Sequence, residues 1–255
     1  VILSVLAESS ADDPEAKARS IRAGANWVMG MQSRDGGFAA FDADQTATWL
    51  NHVPLADVEA VVDPSCADLT GRVLEMMASV GYRADHPVAT RAIEWLKRNQ
   101  SADGGWRGRW GINFIYGTFS ALSGLRAIGV DINQPWIKRA VNWLKSKQNP
   151  DGGWGESPLS DKDPAWHGRG TSTASQTAWA LIGLIAGEDG LSEHAMRGAQ
   201  WLSEQQNDDG AWTEMESTGN GFPNHFYLRY HMYPHYFPLM ALGRFRRRLV
   251  ETAAG

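Results

Sequence analysis

One short segment recurs four times in this chain of 255 residues and constrains the fold more than any other feature. In each copy a Trp is followed five positions later by Gln, and that Gln is followed six positions later by a second aromatic residue. An Asp-Gly pair lies between them, and an Arg stands shortly before the Trp. The first Trp residues of successive copies are 68, 48 and 58 residues apart, so loops of variable length connect constant units. The copies lie at residues 22–38, 91–106, 139–154 and 197–212.

The second copy shows what one unit predicts. Residues 91–97 place apolar side chains at helical spacing with charged residues between them, which indicates an amphipathic helix that ends near Gln100. The Asp-Gly-Gly sequence that follows predicts a tight turn, after which Trp106 can lie back against the helix end. The Gln side chain can bridge this helix to the free N–H groups of the next helix. We therefore interpret the repeats as structural staples that bury their Trp residues.

Helices of a second kind are predicted between the repeats. Residues 117–128, 172–186 and 237–243 are apolar and rich in small side chains, which allow neighbouring helices to approach closely. Charged amphipathic helices thus alternate with small apolar ones, and no run of alternating polar and apolar residues indicates a β-strand. This alternation predicts an all-α fold, an α/α toroid whose outer helices face water and whose inner helices surround a cavity. Residues 1–255 are assigned to one such domain.

The composition removes several classes of function. A net charge of −5 argues against nucleic-acid binding, which requires a basic surface. Cys66 is the only cysteine, so no intrachain disulfide can form and a reducing compartment is expected. No apolar run reaches the roughly 18–20 residues of a membrane-spanning helix, and the residues after Val1 lack the basic start of a signal peptide.

The repeats resemble the QW motif of terpene cyclases of the squalene–hopene and oxidosqualene type. The chain lacks the Asp-Cys-Thr-Ala-Glu string that oxidosqualene enzymes typically carry, which favours the bacterial squalene cyclases. The resemblance implies a C-terminal α/α barrel of a two-barrel enzyme. It also implies conversion of squalene to hopene or hopanol, through protonation of an alkene and ring closure by carbocations. Further stretches that carry the resemblance are residues 41–46, 51–54, 63–68, 108–117, 149–156 and 221–228.

The proton donor of this family is the middle Asp of an Asp-x-Asp-Asp-Thr motif, which the sequence lacks. In the family the motif directly precedes an apolar helix similar to residues 1–7, so we expect it just upstream of Val1. Asp42 and Asp44 are a poor substitute, because they follow a repeat where the family has a separate aromatic-Asp-x-Asp element. We accordingly expect residues 1–255 by themselves to be inactive.

Two residues match family positions that support this acid. Asp68 falls where the family has an Asp that hydrogen-bonds the acid motif, and Arg72 replaces a His that many relatives have four residues later. The spacing of four puts both side chains on one helix face. Unlike His, Arg72 would stay charged throughout the reaction. An ordinary helix salt bridge between Asp68 and Arg72 is the alternative interpretation.

Seven aromatic residues match family positions that line the cyclisation cavity. Aromatic faces stabilise a cation without offering a reactive lone pair, and a dry cavity strengthens that attraction. Core packing is the alternative interpretation for any one of them. The seven are Phe41, where the family often has Tyr, and Trp110, Tyr116, Phe222, Phe226, Tyr230 and Tyr233.

The resemblance implies no metal and no other cofactor. The expected partners are squalene and the membrane surface, with a peripheral position on the cytoplasmic face, and a homodimer is one assembly that the resemblance allows. Two other classes stay open. A protein prenyltransferase β-subunit would need zinc at Cys66, although its Asp-x-Cys spacing is absent because Asp63 lies three residues earlier. A non-enzymatic Trp-rich module that binds sugars would expose the repeat Trp residues.

Overall fold

The computed structural model describes residues 2–10, 12–47, 49–50, 53 and 62–254. Residues 51–54, one of the stretches that carry the family resemblance, lie outside the described residues apart from Val53. In the described part, none of the helices is long and apolar enough to cross a membrane. The α-helices are α1 (Ile2–Glu8), α2 (Pro14–Gly30), α3 (Ala67–Ser79), α4 (Pro87–Arg98), α5 (Phe114–Ile128), α6 (Pro135–Ser146), α7 (Ala174–Ala186), α8 (Glu193–Glu204) and α9 (Tyr233–Ala254).

The helices alternate between two layers. The amphipathic helices α4, α6 and α8 bury one stripe each, whereas α5 and α7 are buried on almost every side. Helices α3, α5, α7 and α9 pack against one another in chain order and form the inner layer. The outer layer consists of α2, α4, α6 and α8, each joined to its inner neighbours. This arrangement confirms the prediction of an all-α fold of the α/α-toroid type.

The inner helices α3 and α5 are in contact through their backbones. A Cβ atom added at Gly71 would lie 2.2 Å from the carbonyl oxygen of Ser120, and one added at Gly124 would lie 2.2 Å from the carbonyl oxygen of Gly71. No side chain can be accommodated at such distances, so both positions require Gly. The small residues of the inner helices therefore permit the close approach that the sequence predicted.

The turn of one repeat holds the outer helix of the next. The Gln100 amide donates to the carbonyl oxygen of Trp136 at the start of α6 (2.7 Å), and its oxygen accepts from Arg139 (2.8 Å). Asp103 accepts the indole N–H of Trp143 at 2.8 Å. The predicted Gln bridge exists, but the prediction that it reaches free N–H groups is wrong. The charge-assisted bond from the guanidinium occupies the Gln oxygen, which leaves the Gln amide group to donate to a carbonyl.

Equivalent contacts occur at the other two junctions between repeats, but not at the first Trp of the chain. Trp27 is 68 % exposed, so the prediction that the repeats bury their Trp residues is wrong at this position. The turn that covers each later Trp comes from the repeat before it, and Trp27 belongs to the first copy. The corresponding contacts are Gln32–Val88, Asp35–Trp95, Gln148–His194 and Asp151–Trp201.

The second aromatic residue of each repeat packs in the core against the repeat's own outer helix. The indole N–H groups of Trp106, Trp154 and Trp212 donate to carbonyl oxygens of their own outer helices at 2.7–2.8 Å. All three side chains and Phe38 are buried. This confirms the predicted return of the chain against the helix end and contradicts a module that exposes these side chains to ligands.

Two buried carboxylates cap inner helices. Glu156 accepts the backbone N–H groups of Asn113 (3.2 Å) and Ile115 (2.9 Å) at the start of α5. Glu214 accepts the N–H of Ser175 (2.8 Å) at the start of α7. Each Glu stands two residues after the second Trp of a repeat, so the repeat also fixes an inner helix. Burial raises the pKa of both carboxyls, although the bonds from backbone N–H groups oppose the shift.

The structure contains a β-hairpin, so the prediction that the chain has no β-strand is wrong. Strand β1 (Gly219–Phe222) pairs antiparallel with β2 (Phe226–Leu228). The strands have four and three residues, which is too short for an alternating pattern to stand out. Asn224 in the connecting turn has a φ of 69°, a backbone conformation that Asn adopts more readily than most residues.

Candidate active site

Asp68 lies in the first turn of α3, where it is almost completely buried. Its Oδ2 atom accepts the backbone N–H groups of Arg109 (3.1 Å) and Trp110 (3.0 Å). Its Oδ1 atom is buried and receives no hydrogen bond from a nitrogen or oxygen of the described residues. Asp68 therefore fixes the loop that carries Trp110 and keeps one oxygen as a free acceptor.

A second carboxylate holds Phe41 in the same way. Asp63 accepts the backbone N–H of Phe41 at 3.0 Å, and the Phe41 and Trp110 rings meet edge to face with centroids 6.0 Å apart. Cys66 lies between these carboxylates in sequence. Burial, and then the charge of Asp68, raise the pKa of its thiol well above the usual value, so the thiol stays protonated.

Arg72 is paired with Glu75 rather than with Asp68. The guanidinium lies 2.7 Å from the Glu75 carboxylate and over the Phe119 ring at 4.8 Å. The Asp68–Arg72 salt bridge considered in the sequence analysis is therefore not formed. Glu75 lies one turn further along α3 and forms the ion pair with Arg72, whereas the Oδ2 atom of Asp68 accepts from the backbone of the Trp110 loop. Burial opposes the charge on Arg72, but Glu75, Tyr116 and Asp68 together outweigh burial and raise the Arg72 pKa.

Two of the three predicted tyrosines contact a Trp that was not among the predicted site residues, and the third packs on one of them. The Trp179 ring, in α7, lies 4.8 Å from Tyr116 and 5.9 Å from Tyr233, measured between centroids. Tyr230 stacks obliquely on Tyr233 at 4.7 Å. Burial raises the pKa of Tyr116 and of Tyr233, so both phenols are neutral. A Trp within a helix of small residues was the available signal for Trp179.

The other predicted rings gather around Arg109. Its guanidinium lies 4.5 Å from the Trp110 ring and 6.0 Å from the Phe222 ring, and it donates to the carbonyl oxygen of Gly221 at 3.1 Å. The Phe222 and Phe226 rings meet edge to face at 5.2 Å. Burial lowers the pKa of Arg109, while nearby Asp63 opposes that shift. Arg109 lies in the stretch 108–117 that carries the family resemblance, but its contacts with Gly221 and Phe222 come from a segment more than a hundred residues away, which no local pattern indicates.

Glycines let the backbone pass directly beneath three of these rings. A Cβ atom would lie 2.4 Å from the Tyr116 ring at Gly111, 2.4 Å from the Tyr230 ring at Gly219, and 2.3 Å from the Phe226 ring at Gly221. Gly111 and Gly219 also pair with each other as an isolated antiparallel bridge. The loop before α5 and the strand β1 are thereby joined, and the two groups of rings lie on one connected surface.

We call the seven predicted residues, Phe41, Trp110, Tyr116, Phe222, Phe226, Tyr230 and Tyr233, the aromatic wall. Tyr116 is buried, Trp110, Phe222 and Tyr233 are half-buried, and Phe41, Phe226 and Tyr230 are 67 %, 44 % and 36 % exposed. The wall is thus a largely open aromatic face in this chain, with the buried Asp68 behind the loop that carries Trp110. Its use in binding a cation stays a prediction.

Metal chemistry has no visible site in the described residues. They contain no group of three or more His, Cys, Asp or Glu side chains that could hold a metal ion. The aromatic wall instead presents π faces beside two buried carboxylates, Asp63 and Asp68, and two paired or stacked arginines. Such an arrangement can attract a positive charge and offers it few nucleophiles.

Alternating helix layers joined by repeated turns place the protein in the α/α-toroid class. Residues 1–247 match the sequence profile of the squalene-hopene cyclase C-terminal domain. A type II terpene cyclase from Scytonema, MstE, has a similar fold, with a TM-score of 0.56 at 20 % identity over 92 % of this chain and 68 % of that one.

Curated relatives agree with the profile. The chain is 54 % identical over 237 residues to the squalene–hopene cyclase of Alicyclobacillus acidocaldarius, which covers 93 % of this chain and 38 % of that protein. It is 45 % identical to the squalene–hopene cyclase of Zymomonas mobilis, over 92 % of this chain and 35 % of that protein. The chain belongs to the squalene–hopene cyclase family and spans little more than a third of the length of these relatives.

Proposed function

We propose that the protein carrying this chain cyclises squalene to hopene or hopanol, and that this chain supplies the aromatic wall and the support for the acid. The observation that carries the proposal is the connection of all seven predicted rings, through two loops and the hairpin, to a surface backed by Asp68. Family membership and the curated squalene–hopene cyclases support the choice of substrate.

The first step needs an acid strong enough to protonate an alkene. In our proposal a carboxylic acid of the Asp-x-Asp-Asp-Thr type donates this proton, and the free Oδ1 atom of Asp68 accepts a hydrogen bond from the acid motif. Arg72, held by Glu75, adds a fixed positive charge nearby. A positive charge favours the deprotonated form of a nearby carboxylate, so Arg72 helps the motif to give up its proton, and the pairing with Glu75 reduces the size of this effect.

The later steps need a surface on which positive charge can move. When the terminal alkene takes the proton, each ring closure forms a carbon–carbon bond and passes the charge to the next alkene carbon. The rings of the wall stabilise these cations, and the buried tyrosines stay neutral and therefore poor nucleophiles. Loss of a proton from the last cation gives hopene, an isomer of squalene, whereas capture of water gives hopanol.

Replacement of Phe226 by Ala tests the wall in the protein that carries this chain. We expect partially cyclised products to accumulate, because a late cation loses an aromatic face and is deprotonated early. Trp166→Ala is the matched control, since Trp166 is 40 % exposed, close to Phe226, but lies outside the wall. Products from squalene would be separated by gas chromatography. An unchanged product spectrum for Phe226→Ala would show that this ring only packs.

We extend the proposal to a peripheral position on the cytoplasmic face of a membrane. Squalene is a hydrocarbon that partitions into bilayers, so an enzyme that takes it up gains by docking there. Membrane fractionation of the protein measures this, and full recovery in the soluble fraction without detergent would contradict it. The homodimer that the resemblance allows can be tested by sedimentation of the detergent-solubilised protein.

A further inference from the structure

A buried carboxylate outside the aromatic wall has three hydrogen-bond donors from three segments. Asp161 ends a 3₁₀ helix (Pro158–Asp161), and its side chain has no exposed surface. It accepts from Arg107, from the Asn220 amide at 3.2 Å and from the Tyr227 hydroxyl at 2.9 Å. A buried carboxylate without donors would be costly, so all three contacts matter to its placement.

Two of these donors are partners across the hairpin. Asn220 in β1 is paired with Tyr227 in β2, so their side chains lie on the same face of the hairpin. Alternation along β2 then puts Phe226 on the opposite face. The register shift between Asn220 and Phe222 brings Phe222 opposite Phe226, on that same side. The hairpin therefore has one polar face, bound to Asp161, and one aromatic face that belongs to the wall.

The polar face also sets the distance between the hairpin and the rest of the site. The Asn220 backbone N–H donates to the Trp110 carbonyl at 3.0 Å, and its amide lies 3.4 Å from the Asn113 side chain. Burial, then the charge of Asp161, raise the pKa of Tyr227 to about 12, so its hydroxyl remains a donor at physiological pH. A change at Asp161 therefore reaches the aromatic face only through the orientation of the hairpin.

We propose that Asp161 is a positioning residue, which binds the polar face of the hairpin and thereby aims Phe222 and Phe226 at the reacting cation. The inference rests on the proposed function, since it concerns the same aromatic wall. Asp161 touches neither ring, and its effect passes through Asn220 and Tyr227. The sequence offered no signal for it, because the donors are 54, 59 and 66 residues away along the chain.

The experiment compares Asp161→Ala and Asp161→Asn with Asp163→Ala in the protein that carries this chain. Asp163 lies on the same segment, but its side chain accepts a local bond from the N–H of Ala165 and none from the hairpin, so its variant should match the wild type. For Asp161→Ala we expect amide hydrogen exchange in residues 218–229 to become about tenfold faster. Products of incomplete cyclisation from squalene should rise several-fold. Tyr227→Phe removes one donor and should have an intermediate effect. This milder variant keeps the inference testable if Asp161→Ala does not fold.

Three outcomes overturn the inference. Unchanged exchange would show that Asp161 does not hold the hairpin, and faster exchange with unchanged products would show that the hold does not matter for the reaction. A uniform rise in exchange over the whole chain would show a general loss of stability. If the wild type itself gave no polycyclic product, the proposed function would fail, while the exchange measurement would still decide whether Asp161 anchors the hairpin.

Discussion

The stapled outer helices and the aromatic wall both depend on aromatic side chains, but they use them in opposite ways. In the staples most indoles have a defined hydrogen-bond partner and little exposed surface, as Trp154 has against its own helix, whereas Trp27 of the first copy is exposed. In the wall the rings meet mainly one another, and Phe41 and Phe226 are largely exposed. The comparison teaches that aromatic residues which stabilise the fold are satisfied within the chain, whereas those available for a substrate are not.

The largest loss of stability should come from truncating a buried Trp side chain of a repeat. Trp154→Ala removes a fully buried indole, and we expect a loss of about 3–5 kcal/mol in the free energy of unfolding because the cavity cannot fully collapse. Trp27→Ala, at an exposed position of the first repeat, should cost far less. Thermal or denaturant unfolding measures both. Similar losses for the two variants would refute the distinction between covered and uncovered repeats.

A smaller loss of stability is expected where a glycine allows two helix backbones to lie in direct contact. Gly124→Ala pushes a methyl group into the Gly71 carbonyl, and we expect a loss of about 1–3 kcal/mol, because packed helices must move apart. Gly221→Ala in the wall meets the Phe226 ring, which is partly exposed and can swing away. That variant should lose less stability and instead alter the products formed from squalene. Gly243→Ala, with no atom nearby, is the control for helix propensity. A reversed order of stability would mean that the wall is the more rigid region.

The smallest effect is expected when a single hydrogen bond between two repeats is removed. Asp103→Ala removes the acceptor of the Trp143 indole and should cost about 1 kcal/mol. Asp209 has the same place in the fourth repeat and accepts only the N–H of Ala211 there, so Asp209→Ala should have a smaller effect. The difference between the two losses measures the contact between repeats. Equal losses would show that the Asp serves only its own turn.

Much of the fold could be predicted from the repeats because they are local. Within each copy the amphipathic helix, the Asp-Gly turn and the returning aromatic residue lie within 16 or 17 consecutive residues. Their order in the sequence is therefore also their order in space. The small residues around Gly124 were predicted to allow close packing, whereas the opposing Gly71 was not recognised, because only the structure shows that the two helices meet there. The partner of the Gln side chain was mistaken, because a carbonyl and a guanidinium of the next helix decide it.

The sequence by itself determined the helical layers, the staples and, through the family resemblance, which residues belong to the wall. Only the tertiary structure decided how the wall is held together. Trp179, Arg109 and Asp161 act through contacts with residues that are far away along the chain, and no local pattern records such contacts. The pairing of Arg72 with Glu75 has the same origin, since Asp68 instead accepts from the backbone of the Trp110 loop, which lies about forty residues further along the chain. Periodicity encodes which face of an element is buried, but the partners that meet there are fixed only when distant segments pack.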